Sequence, residues 1–361
     1  MSSPAMNPLL QVKQQGQQIW LDNLSRTLLR DGHLKRLIDE DGVAGVTTNP
    51  AIFHKAIADG RYYEEDLETL KRERLDAETR YERLVIPDVQ QACDLLKDTY
   101  ERSGGEAGYV SLEVSPKLSH DANGTVEAGL RLAQTVNRPN LLIKVPATTA
   151  GLTAIEALIA RGISVNVTLM FSLKHVQEVA NAYTAGIQKR LDSGGDASRV
   201  MSVASLFLSR IDTLVDQQLQ DQGETQLQGH TAVALAKLAY QRYCEHFHGP
   251  RFASLKSRGA KPQLMLWAST GTKNPAYSDL LYVEPLIGPE TVNTLPDKTL
   301  TALRDHGRVE RTLDTDIAAA QDRFKTLGHG SIDLDAIGEQ LQAEGLQQFE
   351  TAFAQLLKLT E

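Results

Sequence analysis

Short apolar runs alternate with longer amphipathic stretches along this chain. The runs are Ile19–Leu21, Val43–Thr47, Tyr109–Val114, Leu141–Val145, Ile163–Leu169, Val200–Leu206, Gln263–Ala268 and Leu280–Leu286. Several are near-continuous, as expected of parallel strands buried on both faces. The stretches between them read as helices. Ser172 is placed to cap one, in which Val176, Val179, Tyr183 and Ile187 recur at helical spacing. Val126, Leu130 and Val136 mark another, following Thr125, and Leu152, Ile155 and Ile159 mark a third that ends at Gly162. Eight strands alternating with helices predict an α/β fold, a (β/α)8 TIM barrel. The alternative, an open doubly wound sheet, lacks its dinucleotide-binding signature: no G-x-G-x-x-G follows the first run.

Extra helices are also expected. One charge-dense stretch covers Tyr62 to Tyr100, and another helix is marked by Ile317 and Phe324. In a last helix Leu346, Phe349, Phe353, Leu356 and Leu357 form an apolar stripe that should pack back onto the barrel. No flexible linker interrupts the pattern. The 361 residues read as one domain, 1–361, with a barrel core at about 17–310 and a C-terminal helical extension at about 311–361.

Composition narrows the class. Apolar content of 41% and charged content of 23% are ordinary globular values. A formal charge of −8 argues against a nucleic-acid partner, since phosphates call for a basic face. Two cysteines, Cys93 and Cys244, give no disulfide framework and suit a reducing compartment, so a cytoplasmic location is expected. The polar stretch from Met1 to Gln18 does not read as a signal peptide. No run approaches the ~20 apolar residues of a membrane helix.

Ionisable groups are rare in buried parallel strands. Here several stand near the C-terminal ends of the runs, the end at which barrel enzymes carry their chemistry. Lys144 sits among Leu142, Ile143, Val145 and Pro146, and Glu113 in Ser111-Leu-Glu-Val. Asn166 and Thr168 share one strand face. Asp22 ends the first run, and Thr47, Thr48 and Asn49 end the second. Such residues also serve as loop caps, and a structural Lys144–Glu113 ion pair fits the pattern too. The chemical reading rests on amine physics. Desolvation can lower an amine's pKa by up to ~3–5 units, and a neutral amine adds to a ketone to form a Schiff base. The iminium is an electron sink, and the chemistry needs proton carriers such as Glu113, Thr168 and Asp22. Later in the chain, Arg210 and the loop Ser269-Thr-Gly-Thr-Lys273 suit an anion site, although Arg210 equally suits a solvated helix start.

Together these motifs resemble the transaldolase family over nearly the whole barrel. The resemblance is carried by Thr47-Thr-Asn-Pro, Leu142-Ile-Lys-Val-Pro-Ala-Thr and Val165-Asn-Val-Thr-Leu-Met-Phe-Ser, in that order. It implies that Lys144 forms the Schiff base, Asp22 handles a donor hydroxyl proton, and Glu113 and Thr168 position a water. It implies donor binding by Thr47, Asn49 and Asn166, and puts Ser205, Phe207, Arg210 and Ser269 at substrate positions, mostly on the phosphate side. The implied reaction moves a dihydroxyacetone unit between sugar phosphates of the non-oxidative pentose phosphate pathway. Its donors would be sedoheptulose 7-phosphate and fructose 6-phosphate, its acceptors glyceraldehyde 3-phosphate and erythrose 4-phosphate. No cofactor and no metal are expected. The family's usual arginine after the serine at 269 is replaced by Gly271, which leaves Lys273 to supply that charge; Leu206 stands where a proline is usual. The added helices suggest a longer bacterial-type subgroup.

Three rivals remain. Fructose-6-phosphate aldolases are shorter, and carry Gln at the position of Glu113 and Tyr at that of Phe207. A non-catalytic phosphosugar-binding barrel would keep Arg210 and the Ser269 loop without needing Lys144. A metal aldolase would need converging histidines, whereas the nine here are scattered, with Cys244, His246 and His248 placed at the end of an outer helix. A homodimer and a monomer both fit the sequence.

Overall fold

A computed structural model describes residues 7–330 and 332–361. Met1–Met6, part of the polar N-terminal stretch, lie outside the described residues. The strands β1 (Gln17–Leu21), β2 (Gly45–Val46), β3 (Tyr109–Glu113), β4 (Leu141–Pro146), β5 (Val165–Met170), β6 (Ser202–Phe207), β7 (Leu264–Ala268) and β8 (Thr291–Leu295) form a closed parallel barrel in sequence order. Closure is made by β1 against β8, in register from Gln17 beside Thr291 to Leu21 beside Leu295. β4, β5 and β6 are buried along their whole length, which explains their near-continuous apolar runs.

Polar residues at the strand ends start the outer helices. Asn49, Asp121, Thr148 and Ser172 each accept a backbone N–H at the start of the helices Pro50–Ala58, Ala122–Val136, Thr149–Ala160 and Leu173–Asp192. The second of these begins three residues before Thr125, the start that the apolar spacing suggested. The charge-dense insert forms Glu64–Lys71, Ala77–Leu95 and Lys97–Arg102. It is tied to the chain after β1: Arg26 Nε donates to Asp88 Oδ1 at 2.8 Å, and the Tyr63 hydroxyl donates to Asp88 Oδ2 at 2.8 Å.

One expected strand is elsewhere. Leu280–Leu286 forms turns and a short 3-10 helix, and the eighth strand is Thr291–Leu295. The apolar run is buried all the same, with Leu280, Tyr282, Val283 and Leu286 at most 2% exposed. The true strand carries three polar residues whose side chains are hydrogen-bonded within the protein, although Asn293 Oδ1 finds no partner among the described residues. Asn293 Nδ2 donates to Tyr282 O at 3.0 Å, Thr291 Oγ1 to Gly288 O at 2.6 Å, and Thr294 Oγ1 meets Thr47 Oγ1 at 2.6 Å. Hydrophobicity therefore favoured the wrong run.

The C-terminal helix Leu334–Thr360 returns to the barrel mouth. Gln342 Nε2 donates to Ala147 O and Leu169 O, both at 3.0 Å, so one side chain joins the ends of β4 and β5. Phe353 meets the Tyr81 ring edge-on at 5.7 Å, which ties this helix to the insert.

The shortest strand is held by a close approach. A methyl group on Gly45 would lie 2.5 Å from the fully buried ring of Trp20. Gly45→Ala is expected to cost about 1–3 kcal/mol through overpacking. Urea unfolding checks this: a lower midpoint at unchanged slope is the expected result, and an unchanged midpoint would show that β2 gives way freely.

Candidate active site

Lys144 is near the end of β4 and only 5% exposed. Its neighbours in register are Glu113 on β3 and Asn166 on β5. Nζ donates to Thr48 O at 2.9 Å and lies 5.7 Å from the centre of the Phe349 ring. The ring face attracts a cation.

A cavity of about 110 Å³ opens beside this amine, at the C-terminal ends of the strands. Asp22, Thr47, Asn49, Lys144, Asn166, Ser205, Phe207, Arg210 and Ser269 line it, all residues singled out from the sequence. Leu266, Ala268, Thr294 and Phe349 line it too and were not foreseen. Thr294 was hidden with its unrecognised strand. Phe349 was legible only as part of a packing stripe.

Hydrogen bonds fix most of the polar groups. Thr47 Oγ1 donates to Asp22 Oδ1 at 2.7 Å. Asn166 Nδ2 donates to Ser111 Oγ at 2.9 Å, and Ser205 Oγ donates to Asn166 Oδ1 at 2.7 Å. Ser111 thus helps to orient the Asn166 amide; its one sequence signal is a position two before Glu113 on the same strand face. Asn49 spends its Oδ1 on capping, accepting Ile52 N–H at 3.0 Å. Ser269 adopts φ +54, a left-handed conformation rare outside glycine, and its hydroxyl lies 2.8 Å from Ser209 Oγ. Phe207 packs on Phe171 at 5.4 Å, and the Arg210 guanidinium lies 5.6 Å from the Phe207 ring centre.

Near the amine and the cavity, Glu113 Oε2, Thr168 Oγ1 and Arg210 Nη1 are buried polar atoms without a hydrogen-bond partner among the described residues. Buried polar atoms normally find a partner, so these are the atoms that suit a water or a ligand. Glu113 and Thr168 do not line the cavity but stand on the strands either side of Lys144. Burial pushes the Glu113 carboxyl from 4.5 up to about 7, against the pull of Lys144 and with the help of Asp22. Burial also raises Asp22, opposed by Lys144 and by the Thr47 hydrogen bond. Burial lowers Arg210, and Glu344 opposes this.

Lys273 does not line this cavity, and acts on it only through its charge, which favours the ionised form of Asp22. It is exposed and lines a separate cleft of about 390 Å³ with Asp212, Asp216, Tyr277 and Tyr282. The Cys244 group is split as well: His246 Nε2 is 2.8 Å from Thr184 Oγ1, and His248 Nε2 is 2.7 Å from Glu290. No cluster of three or more potential metal ligands occurs among the described residues.

A family profile described as transaldolase/fructose-6-phosphate aldolase matches residues 19–360. The chain belongs to this family. A protein named transaldolase from Thiobacillus denitrificans is 55% identical over 355 residues, which cover 98% of this chain and 99% of that protein. One of the same name from Neisseria gonorrhoeae is 48% identical over 352 residues, covering 98% and 99%. "Transaldolase 2" from a Nostoc species is 43% identical over 371 residues, covering 99% and 97%. Each family motif read from the sequence falls at the barrel mouth: one follows β2, one spans the end of β4, one spans β5.

The Glu113 shift has a measurable consequence. The folded state favours the protonated carboxyl, so its stabilising effect is complete below about pH 4.5 and is lost as pH rises through about 7. Between pH 5 and pH 8 the native protein should lose about 2.5 kcal/mol relative to Glu113→Gln. Paired urea titrations at the two pH values measure this, and an equal stability difference at both would show that Glu113 is not strained by burial.

Proposed function

We propose that the transaldolase reaction of this chain runs through a Schiff base on Lys144. The observation that carries the proposal is the setting of that amine: buried at a strand end, beside two carboxyls and a hydroxyl that other strands deliver. Lys144 Nζ adds to the C2 ketone of a ketose phosphate, and water leaves to give the iminium. Asp22 takes the proton from the C4 hydroxyl. The C3–C4 bond then breaks, its electrons pass to the iminium as an enamine, and an aldose phosphate leaves. The enamine carbon attacks the aldehyde of an acceptor sugar phosphate, and the new alkoxide takes a proton. Water releases the product and restores the amine.

Glu113 and Thr168 suit the water steps, because their unpartnered oxygens are carried by the strands on either side of β4. A carboxyl near pH 7 both takes and gives protons at neutral pH. Arg210 suits the phosphate, since it is a cation with a buried, unpaired donor. Asn49 and Asn166 suit the sugar hydroxyls. The donors fructose 6-phosphate and sedoheptulose 7-phosphate, and the acceptors glyceraldehyde 3-phosphate and erythrose 4-phosphate, follow from the family's reaction in the non-oxidative pentose phosphate pathway. In this reading Lys144 is the electron sink and no cofactor takes part. The aldolase reading, in which dihydroxyacetone is released free, is disfavoured by Glu113 and Phe207.

Borohydride trapping with fructose 6-phosphate tests the covalent step. The expected result is a reduced adduct mapped by mass spectrometry to Lys144, absent from Lys144→Ala, with activity in that variant at least ~10³-fold lower. Omitting the acceptor should suppress donor turnover; turnover that continues would favour the aldolase. No adduct on folded protein would sink the covalent role.

A further inference from the structure

One face of the C-terminal helix lies across the barrel mouth, formed by Gly338, Gln342, Gly345 and Phe349 at helical spacing. Two of these contacts concern the site directly: Phe349 at Lys144, and Gly345 at Arg210. A methyl group on Gly345 would stand 2.9 Å from Leu169 Cδ2 and 3.3 Å from Arg210 Nη1. Leu169 has no room to retreat. It is fully buried, its backbone is at φ +59, and Gln342 holds its carbonyl. The methyl group therefore pushes the helix itself off Leu169, which moves the surface that the Arg210 guanidinium rests against.

We propose that Gly345 is a positioning residue for anion recognition. The space left by its missing side chain is where the guanidinium rests, packed against the Phe207 ring with Nη1 free of protein partners. The helix thereby sets how strongly the site prefers a phosphorylated ketose over the same ketose without phosphate. This rests on the reading of Arg210 as the phosphate ligand, and the test separates the two.

The measurement is the ratio of kcat/KM for fructose 6-phosphate to that for unphosphorylated fructose. Gly345→Ala should lower the ratio about tenfold, the size expected for losing one charge-assisted hydrogen bond, with the change in KM for the phosphorylated donor. Arg210→Ala should lower it at least as much, and the double variant should fall no further than Arg210→Ala alone. If Arg210→Ala leaves the ratio intact, the phosphate reading of Arg210 is wrong. If Arg210→Ala lowers the ratio but Gly345→Ala does not, or if Gly345→Ala depresses both donors equally, only the positioning role is overturned. Should Gly345→Ala fold poorly, adding Leu169→Ala relieves the tighter contact without placing a β-branched residue on a left-handed backbone, and keeps the contact with Arg210. That pair must then show the same donor-selective loss, and a normal ratio overturns the proposal.

Discussion

Everything at the barrel mouth follows from placing an amine inside an apolar wall. A buried ammonium without hydrogen bonds or counter-charge is strongly disfavoured. The neighbouring strands meet that demand. β2 pairs with the sheet for only two residues, after which the Thr48 carbonyl is free to accept from Lys144 Nζ. The Thr48 hydroxyl donates to Ser111 O at 2.7 Å, which keeps this departure from the sheet well ordered. The close packing of Gly45 on Trp20 holds the short strand in place below.

Charge is handled as a unit rather than residue by residue. Lys144 favours the ionised forms of Asp22 and Glu113, while Asp22 disfavours ionisation of Glu113. Both carboxyls answer to the same lysine, and the charge on Asp22 in turn adds to burial in holding Glu113 protonated. Around it the neutral hydroxyls of Thr47, Ser111 and Ser205 hold Asp22 and Asn166 in fixed orientations. Fixed dipoles beside a mobile proton suit a reaction in which charge moves and atoms hardly do.

The parts of this arrangement that could be read from the sequence are those where chemistry broke a pattern. Lys144 and Asn166 interrupt continuous apolar runs, and parallel strands buried on both faces make such interruptions conspicuous. β8 could not be read because nothing in Thr291-Val-Asn-Thr-Leu is unusual for a surface turn; the partners of its polar groups, Thr47 on the far side of the seam among them, are not legible in the run itself. Ser111 is small enough to pass as core. Phe349 shows the limit of periodicity, which predicts that a face is covered but not what covers it. Lys273 was placed by analogy of spacing along an irregular loop, and it lies outside the cavity lining while its charge still reaches Asp22.

The C-terminal helix also bears on how the protein comes into being. Synthesis runs from the N-terminus, and the barrel seam pairs residues 17–21 with 291–295, so the wall cannot close until most of the chain exists. Phe349 and Gly345 arrive later still. A nascent or truncated chain can thus hold Lys144 without its lid of aromatic and glycine surface. Such a fragment would carry the lysine without the Phe349 ring that faces it in the complete fold.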